Sequence, residues 1–178
     1  MEITCGFTIP ITLYGLPPSL DQIDDIMGKI KEAGFSSMEM EIEAGNQEYI
    51  EGWQRVIDRS KALDLKVASI MAVTYDMFSL DSKKRKKSLE HFGQICDMTR
   101  RIGSGMITNC FYLPPELHPG EKTELYHGGP PVRIALPEDF HWPDVRKYVV
   151  EQLNESSRIA SDNGLDFAME IRAGDFMT

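Results

Sequence analysis

The feature that most constrains this sequence is a repeated exchange between two hydrophobic patterns. Short apolar runs typical of β-strands alternate with longer segments in which apolar residues recur every three or four positions, as on one face of a helix. The predicted strands cover residues 3–9, 37–42, 66–71, 106–110 and 166–171. The predicted helices cover residues 20–33, 47–63, 83–102 and about 143–163. Each helix has one apolar face, which is what a helix lying on a sheet needs.

The predicted helix ends carry recognisable signals. Ser19 and Gln22 have the spacing of a capping box at the start of the first helix. Gly34, Gly103 and Gly164 each follow the end of a helix by a residue or so and precede the next strand closely. Glycine favours the left-handed conformation that ends helices. Links this short return the chain directly into a sheet.

Strands joined through helices must run parallel, because only such a crossover can bring the chain back to the same end of the sheet. Two architectures have this order: the first five strands of a TIM barrel, and a flavodoxin-like doubly wound sheet. The flavodoxin-like sheet normally closes with a helix after its last strand, whereas this sequence stops at Thr178. We therefore predict an α/β fold of parallel TIM-barrel units, with residues 1–178 forming a single barrel domain truncated at its C-terminus.

The charge and composition of the sequence argue against several kinds of binding partner. The net charge of −9 and the pI of about 4.9 would repel a phosphate backbone, so nucleic acid is not expected as a partner. The sequence has no apolar run long enough to span a membrane and no export signal at its start. Three scattered cysteines give no disulfide framework. These features predict a cytoplasmic protein without a membrane partner.

The second predicted strand carries alternating carboxylates. Glu39, Glu41 and Glu43 would share one face of the strand, while the methionines and isoleucine between them share the other. Buried carboxylates need a metal, a cation or hydrogen bonds, so Glu39 and Glu41 are candidate substrate-binding residues in an active-site mouth. In the alternative interpretation, Glu41 and Glu43 already belong to the following loop.

The fifth predicted strand places Glu170 near its end, between Met169 and Ile171. The carboxyl ends of barrel strands are where TIM barrels carry catalytic groups. A carboxylate there can bind a hard divalent cation or act as a general base. The alternative is a structural salt bridge, for example with Arg172.

Three segments resemble one family. Residues 34–40 (GFSSMEM) resemble the second strand of the xylose isomerase-like sugar phosphate isomerases and epimerases, which belong to the same superfamily as the family 2 apurinic-site endonucleases. Residues 99–104 (TRRIGS) are similar to the end of that family's third helix and the start of its fourth strand. Residues 163–170 (NGLDFAME) are similar to its fifth strand. In order and spacing, the resemblance extends over the whole chain.

This resemblance implies roles for particular residues. Glu170 matches a glutamate that in many members is both a metal ligand and an acid/base carboxylate, so the implied cofactor is a divalent metal ion (Mn, Mg, Co or Zn). The family's other usual ligands, an aspartate, a histidine and a second glutamate, lie on later strands that this sequence lacks. The chain alone is therefore expected to hold an incomplete site. Ile171 departs from the family, where a polar residue often follows the glutamate.

The resemblance implies an isomerase or epimerase that acts on a sugar or sugar phosphate through an enediolate, and a homo-oligomeric assembly is expected. Two alternatives stay open. One is a keto-cyclitol dehydratase or another hydro-lyase on the same scaffold, because fold does not determine reaction type. The other is a noncatalytic binding or assembly module in which an incomplete barrel pairs its open edges with a second chain.

A long loop interrupts the pattern at residues 111–141. Because it follows a strand, it is predicted to lie on the catalytic face of a barrel. Two of its residues, His127 and Arg133, are candidates for binding substrate oxygens. The alternative is an insertion that packs locally or binds a neighbouring subunit.

Overall fold

The computed structural model describes residues 3–15, 17–110, 114–117 and 136–170. Within these ranges, five parallel strands form one sheet in the order β1-β2-β3-β4-β5. The strands are β1 (Thr4–Cys5), β2 (Ser37–Glu43), β3 (Lys66–Val73), β4 (Met106–Cys110) and β5 (Asp166–Glu170). The helices are α1 (Thr8–Tyr14), α2 (Leu20–Glu32), α3 (Gln47–Leu63), α4 (Ser82–Ile102) and α5 (Trp142–Asp162).

The strand order decides between the two predicted architectures. In a flavodoxin-like sheet the first strand lies inside the sheet, between the second and third. Here each strand instead pairs with its neighbour in sequence, and β1 lies at an edge beside β2. Sequential parallel pairing is the arrangement of a TIM barrel. The predicted fold class, a run of parallel barrel units that is incomplete, is thereby confirmed.

The predicted helix signals are largely confirmed. The side chain of Ser19 accepts from the backbone of Gln22, and the reciprocal bond completes the capping box. Gly34, Gly103 and Gly164 all have positive φ. The helix α3 ends differently, because Asp64 takes the left-handed conformation with φ 47° where the other ends use glycine. Aspartate tolerates this conformation better than most residues.

The first predicted strand is wrong over most of its length. Residues 3–9 were expected to be extended, but the strand contains only Thr4–Cys5 and the helix α1 begins at Thr8. Pro10 does not prevent this helix, because it lies in the first turn, where a backbone N–H has no acceptor within the helix. Pro10 and Ile11 are buried, so the apolar run packs as a short helix rather than a long strand.

The two faces of the sheet bury different groups. On one face, Met38, Met40 and Ile42 of β2 join the main core with the apolar faces of the helices. On the other face, a separate cluster contains Met71, Val73 and Cys110. That second face corresponds to the inside of a barrel, and it carries the candidate site. Among the described helices, none is both long and apolar enough to cross a membrane.

Candidate functional site

Glu170 is the last residue of β5 and lies directly across from Cys110, the last residue of β4. The Cys110 thiol donates to Oε2 of Glu170 over 3.3 Å. Parallel strands present their carboxyl ends at one edge of the sheet, so both side chains lie at the end where TIM barrels carry catalytic groups. The predicted position of Glu170 at a strand end therefore agrees with the structure.

The carboxylates of β2 also lie on the inner face. The strand continues through Glu43, so the alternative that placed Glu41 in the following loop is wrong. Glu41 is 5% exposed, and Glu39 is half-buried. Oε1 of Glu39 accepts a hydrogen bond from the Ser69 hydroxyl over 3.0 Å. Alternation along β2 thus puts two candidate substrate-binding carboxylates on the face that carries Glu170.

Burial raises the pKa of the Glu39 carboxyl, because the charged form loses hydration. The hydrogen bond from Ser69 acts in the opposite direction, and the negative charge of Glu170 adds to the rise. Glu39 and Glu170 therefore lie on the same face of the sheet, with like charges that oppose each other's ionisation. This region therefore favours a proton or a cation between strands β2 and β5.

Replacing Glu39 with glutamine should remove one contribution to stability that falls as pH rises. Because the folded state raises the pKa of Glu39, its contribution is fully present below the unfolded value, about 4.3, and is lost as pH rises through the folded value. Relative to Glu39→Gln, the unchanged protein should therefore lose stability as pH rises from acid toward neutral. Urea unfolding of both proteins at a series of pH values measures this difference. A stability difference that stays constant with pH would contradict it.

Glu116 connects one described segment of the long loop, residues 114–117, to the rest of the chain. Glu116 lies in a short 3₁₀ turn, Pro115–Leu117. It accepts from the Ser79 hydroxyl, from the Leu80 backbone N–H over 2.9 Å and from Lys84 Nζ over 3.2 Å. Burial opposes ionisation, but these hydrogen bonds together lower the pKa of Glu116. These hydrogen bonds connect the start of the loop to the segment that leads from β3 into α4.

His127 and Arg133 lie outside the described residues, as does Arg172, so their predicted roles stay predictions. His141 is described, and its Nδ1 lies 3.0 Å from Oδ2 of Asp144 at the exposed start of α5.

Sequence reasoning missed Cys110 and Ser69 as parts of the site. Both lie on the inner face, Cys110 beside Glu170 and Ser69 beside Glu39. Alternation along β4 could have indicated Cys110, since that residue shares a strand face with Thr108. The hydroxyl Oγ1 of Thr108 is buried and has no hydrogen-bond partner among the described residues. The contact with Glu170, however, depends on the β4–β5 register, which the sequence does not display.

The donor atoms on this face fit part of a metal site. Glu170 offers carboxylate oxygen, the ligand type that hard divalent cations prefer. Within the described ranges, no three histidine, cysteine, aspartate or glutamate side chains lie close enough together to hold a metal ion. Glu170 therefore fits the role of a single ligand, and the described residues do not complete the set.

The strands are parallel and pair in sequence order, and carboxylates lie on the inner face of the sheet, with Glu170 at the carboxyl end of β5. This arrangement is that of part of a TIM barrel. The family model described as xylose isomerase-like TIM barrel matches residues 27–178. The chain belongs to this family. Comparison with curated proteins found no match.

Solved structures share the fold. A D-allulose 3-epimerase from Methylomonas sp., in complex with D-allulose, has a TM-score of 0.66 and 15% identity, over 97% of this chain and 52% of that one. A D-psicose 3-epimerase from Clostridium cellulolyticum H10, with D-tagatose, has a TM-score of 0.65 and 13% identity, over 96% of this chain and 52% of that one. The IOLI protein with a bound zinc atom has a TM-score of 0.59 and 14% identity, over 95% of this chain and 51% of that one. The chain spans about half the length of these structures.

Proposed function

We propose that the protein containing this chain is a divalent-metal-dependent isomerase or epimerase that acts on a sugar or sugar phosphate. The observation that carries the proposal is the position of Glu170, on the inner face at the carboxyl end of β5. Family membership supports it, and so do structural neighbours that are sugar epimerases. The reaction would move a proton at the carbon next to a carbonyl, through an enediolate.

Glu170 has the central role in this proposal. Its carboxylate would serve as one ligand of the metal and would accept or return the proton of the substrate. When bound, the metal ion would polarise the substrate carbonyl and so acidify the neighbouring C–H. A second acid/base carboxylate and the remaining ligands would come from later strands of the barrel. On its own, the 178-residue chain would then hold an incomplete site.

Glu39 and Glu41 would contact the substrate rather than react with it. Both lie on the inner face, and ionised carboxylates accept hydrogen bonds from sugar hydroxyls. Burial raises the pKa of Glu39, and the charge of Glu170 adds to the rise, so a bound sugar or cation that met both carboxylates would favour their charged forms. His127 and Arg133 remain candidates for binding substrate oxygens from the loop.

The expected partners follow the same proposal. The substrate would be a small carbohydrate, and the protein would assemble as a homo-oligomer, in the cytoplasm and without nucleic acid. The three cysteines are buried as free thiols. The acidic net charge of −9 agrees with the absence of a nucleic-acid partner.

Exchange of substrate hydrogen with solvent tests the proposal. The 178-residue chain and the product of its complete reading frame would each be incubated in D₂O with Mn²⁺ and with D-allulose, D-tagatose or one of their phosphates. Proton NMR would follow deuterium entering next to the carbonyl and the formation of an epimer. Exchange by the complete product but not by the 178-residue chain is expected.

Either of two results would contradict the proposal. Exchange that is unchanged after chelation of the metal would remove the metal from the mechanism. A complete product that exchanges no hydrogen in these sugars or their phosphates would favour the noncatalytic assembly module instead. Calorimetric titration of the 178-residue chain with Mn²⁺ gives a separate check, because an incomplete ligand set should bind the ion only weakly.

A further inference from the structure

Cys110 lies between two neighbours on the inner face of the sheet. Its sulfur is 3.3 Å from Oε2 of Glu170 on β5 and 3.3 Å from the Met71 sulfur on β3. The cysteine is 1% exposed, and Met71 and Val73 form an apolar cluster with it. The thiol is therefore enclosed and sits directly beside the carboxylate to which the proposed function assigns the chemistry.

The hydrogen of this thiol has two possible acceptors among the described neighbours. A thioether sulfur is only a weak acceptor, whereas an ionised carboxylate accepts strongly. The better acceptor is therefore Oε2 of Glu170. The apolar cluster around the sulfur keeps water from competing for the same hydrogen, which strengthens the bond.

We propose that Cys110 is a positioning residue for Glu170. By donating to Oε2, the thiol would hold the carboxylate in one orientation at the end of β5. A held carboxylate needs less reorganisation to meet a substrate proton, so the effect would appear in turnover more than in substrate binding. This inference rests on the proposed function of Glu170, and it adds a residue that sequence reasoning did not select.

The other two cysteines provide internal references. Cys96 is buried in the helix-facing core, where burial raises its pKa to about 12. Cys5 is buried near β1, and its thiol donates to the Gly6 carbonyl over 3.7 Å. Among the contacts between described residues, the thiol that meets a carboxylate is that of Cys110. Its S–H vibration should therefore differ from those of the other two.

Infrared spectroscopy of the 178-residue chain tests the hydrogen bond without any need for activity. Difference spectra against Cys110→Ala and Cys96→Ala would assign the S–H stretching bands. The Cys110 band should be broader and lie at lower frequency than the Cys96 band. In Glu170→Ala it should move toward the Cys96 position. A Cys110 band that does not change in Glu170→Ala would overturn the inference, whatever the protein catalyses.

Measuring kcat and KM of the complete protein tests whether the Cys110 hydrogen bond affects turnover. Cys110→Ala should lower kcat by about three- to tenfold with little change in KM, the effect of losing one hydrogen bond to the reacting group. Cys110→Ser can still donate to the carboxylate and should recover most of the loss. If Cys110→Ser and Cys110→Ala are equally impaired, the role is one of packing. A full rate in Cys110→Ala also overturns the inference, and it leaves the separate test of Glu170 untouched.

Discussion

Replacing Trp53 with alanine should destabilise the chain by about 3–5 kcal/mol, the range for large aromatic residues removed from a core. Trp53 is completely buried in the main core, within α3. Its indole N–H also donates to the Met98 carbonyl of α4 over 2.8 Å. The substitution would therefore remove a large apolar volume and one hydrogen bond between α3 and α4.

The second tryptophan provides a matched control. Trp142 is 43% exposed at the start of α5, where its ring stacks on Phe140 with 6.5 Å between centroids. Trp142→Ala removes the same side chain from a partly solvated position, so it should cost less than about 1 kcal/mol. Comparable losses at the two positions would show that Trp53 does not anchor the core.

Urea unfolding followed by circular dichroism measures both variants. Because a loss of 3–5 kcal/mol is a large part of the roughly 5–15 kcal/mol that stabilises a typical domain, Trp53→Ala risks not folding. Trp53→Phe is therefore the second variant, since it keeps an aromatic ring and loses the hydrogen bond to Met98. It should fold, with a stability between that of Trp53→Ala and that of the unchanged protein. Stability equal to that of the unchanged protein would contradict the importance of this hydrogen bond.

The helices were the most predictable part of the fold, because their information is local. The predicted bounds of α3 are the same as the observed ones, Gln47–Leu63. Its apolar stripe, with Trp53 and Val56 on the buried side, is repeated over several turns and cannot be satisfied by a strand. The capping box at Ser19 is equally local, since its two partners lie three residues apart.

The first strand could not be predicted in the same way. A short apolar run is compatible with a strand or with a buried helix, and periodicity cannot separate the two. Tertiary packing decided the outcome here, since Phe7 and Ile11 of this segment are buried against the main core. The position of Asp64 at a left-handed helix end was also missed, because the glycine signal is absent there.

Contacts between residues far apart in the sequence could not be predicted either. Asn109 is completely buried, and its amide donates to the Thr74 hydroxyl over 2.8 Å, although the two residues are 35 positions apart. Alternation places Asn109 on the helix-facing side of β4 but does not identify its partner. The same reasoning applies to the site. The strand pattern located Glu170, whereas its contact with Cys110 required the register of β4 against β5, after the long crossover through α5.

Replacing Glu170 with glutamine should reduce the turnover of the complete protein by at least about 100-fold, the lower end of what general acid–base catalysis contributes. Glutamine has nearly the same shape, and its carbonyl oxygen can still accept from the Cys110 thiol, so the fold and the hydrogen bond should survive. The amide cannot take up the substrate proton at neutral pH. As an uncharged group, it also attracts a divalent cation less strongly than a carboxylate does.

The exposed glutamate Glu151, on α5, provides the matched control. Glu151→Gln makes the same chemical change far from the inner face and should leave deuterium exchange and Mn²⁺ affinity as they are. The two variants would be compared by the rate of deuterium entry into the sugar and by calorimetric titration with Mn²⁺. If Glu170→Gln kept a near-normal rate, Glu170 could not be the acid/base group. If the rate fell while Mn²⁺ affinity stayed the same, Glu170 would move the proton without binding the metal.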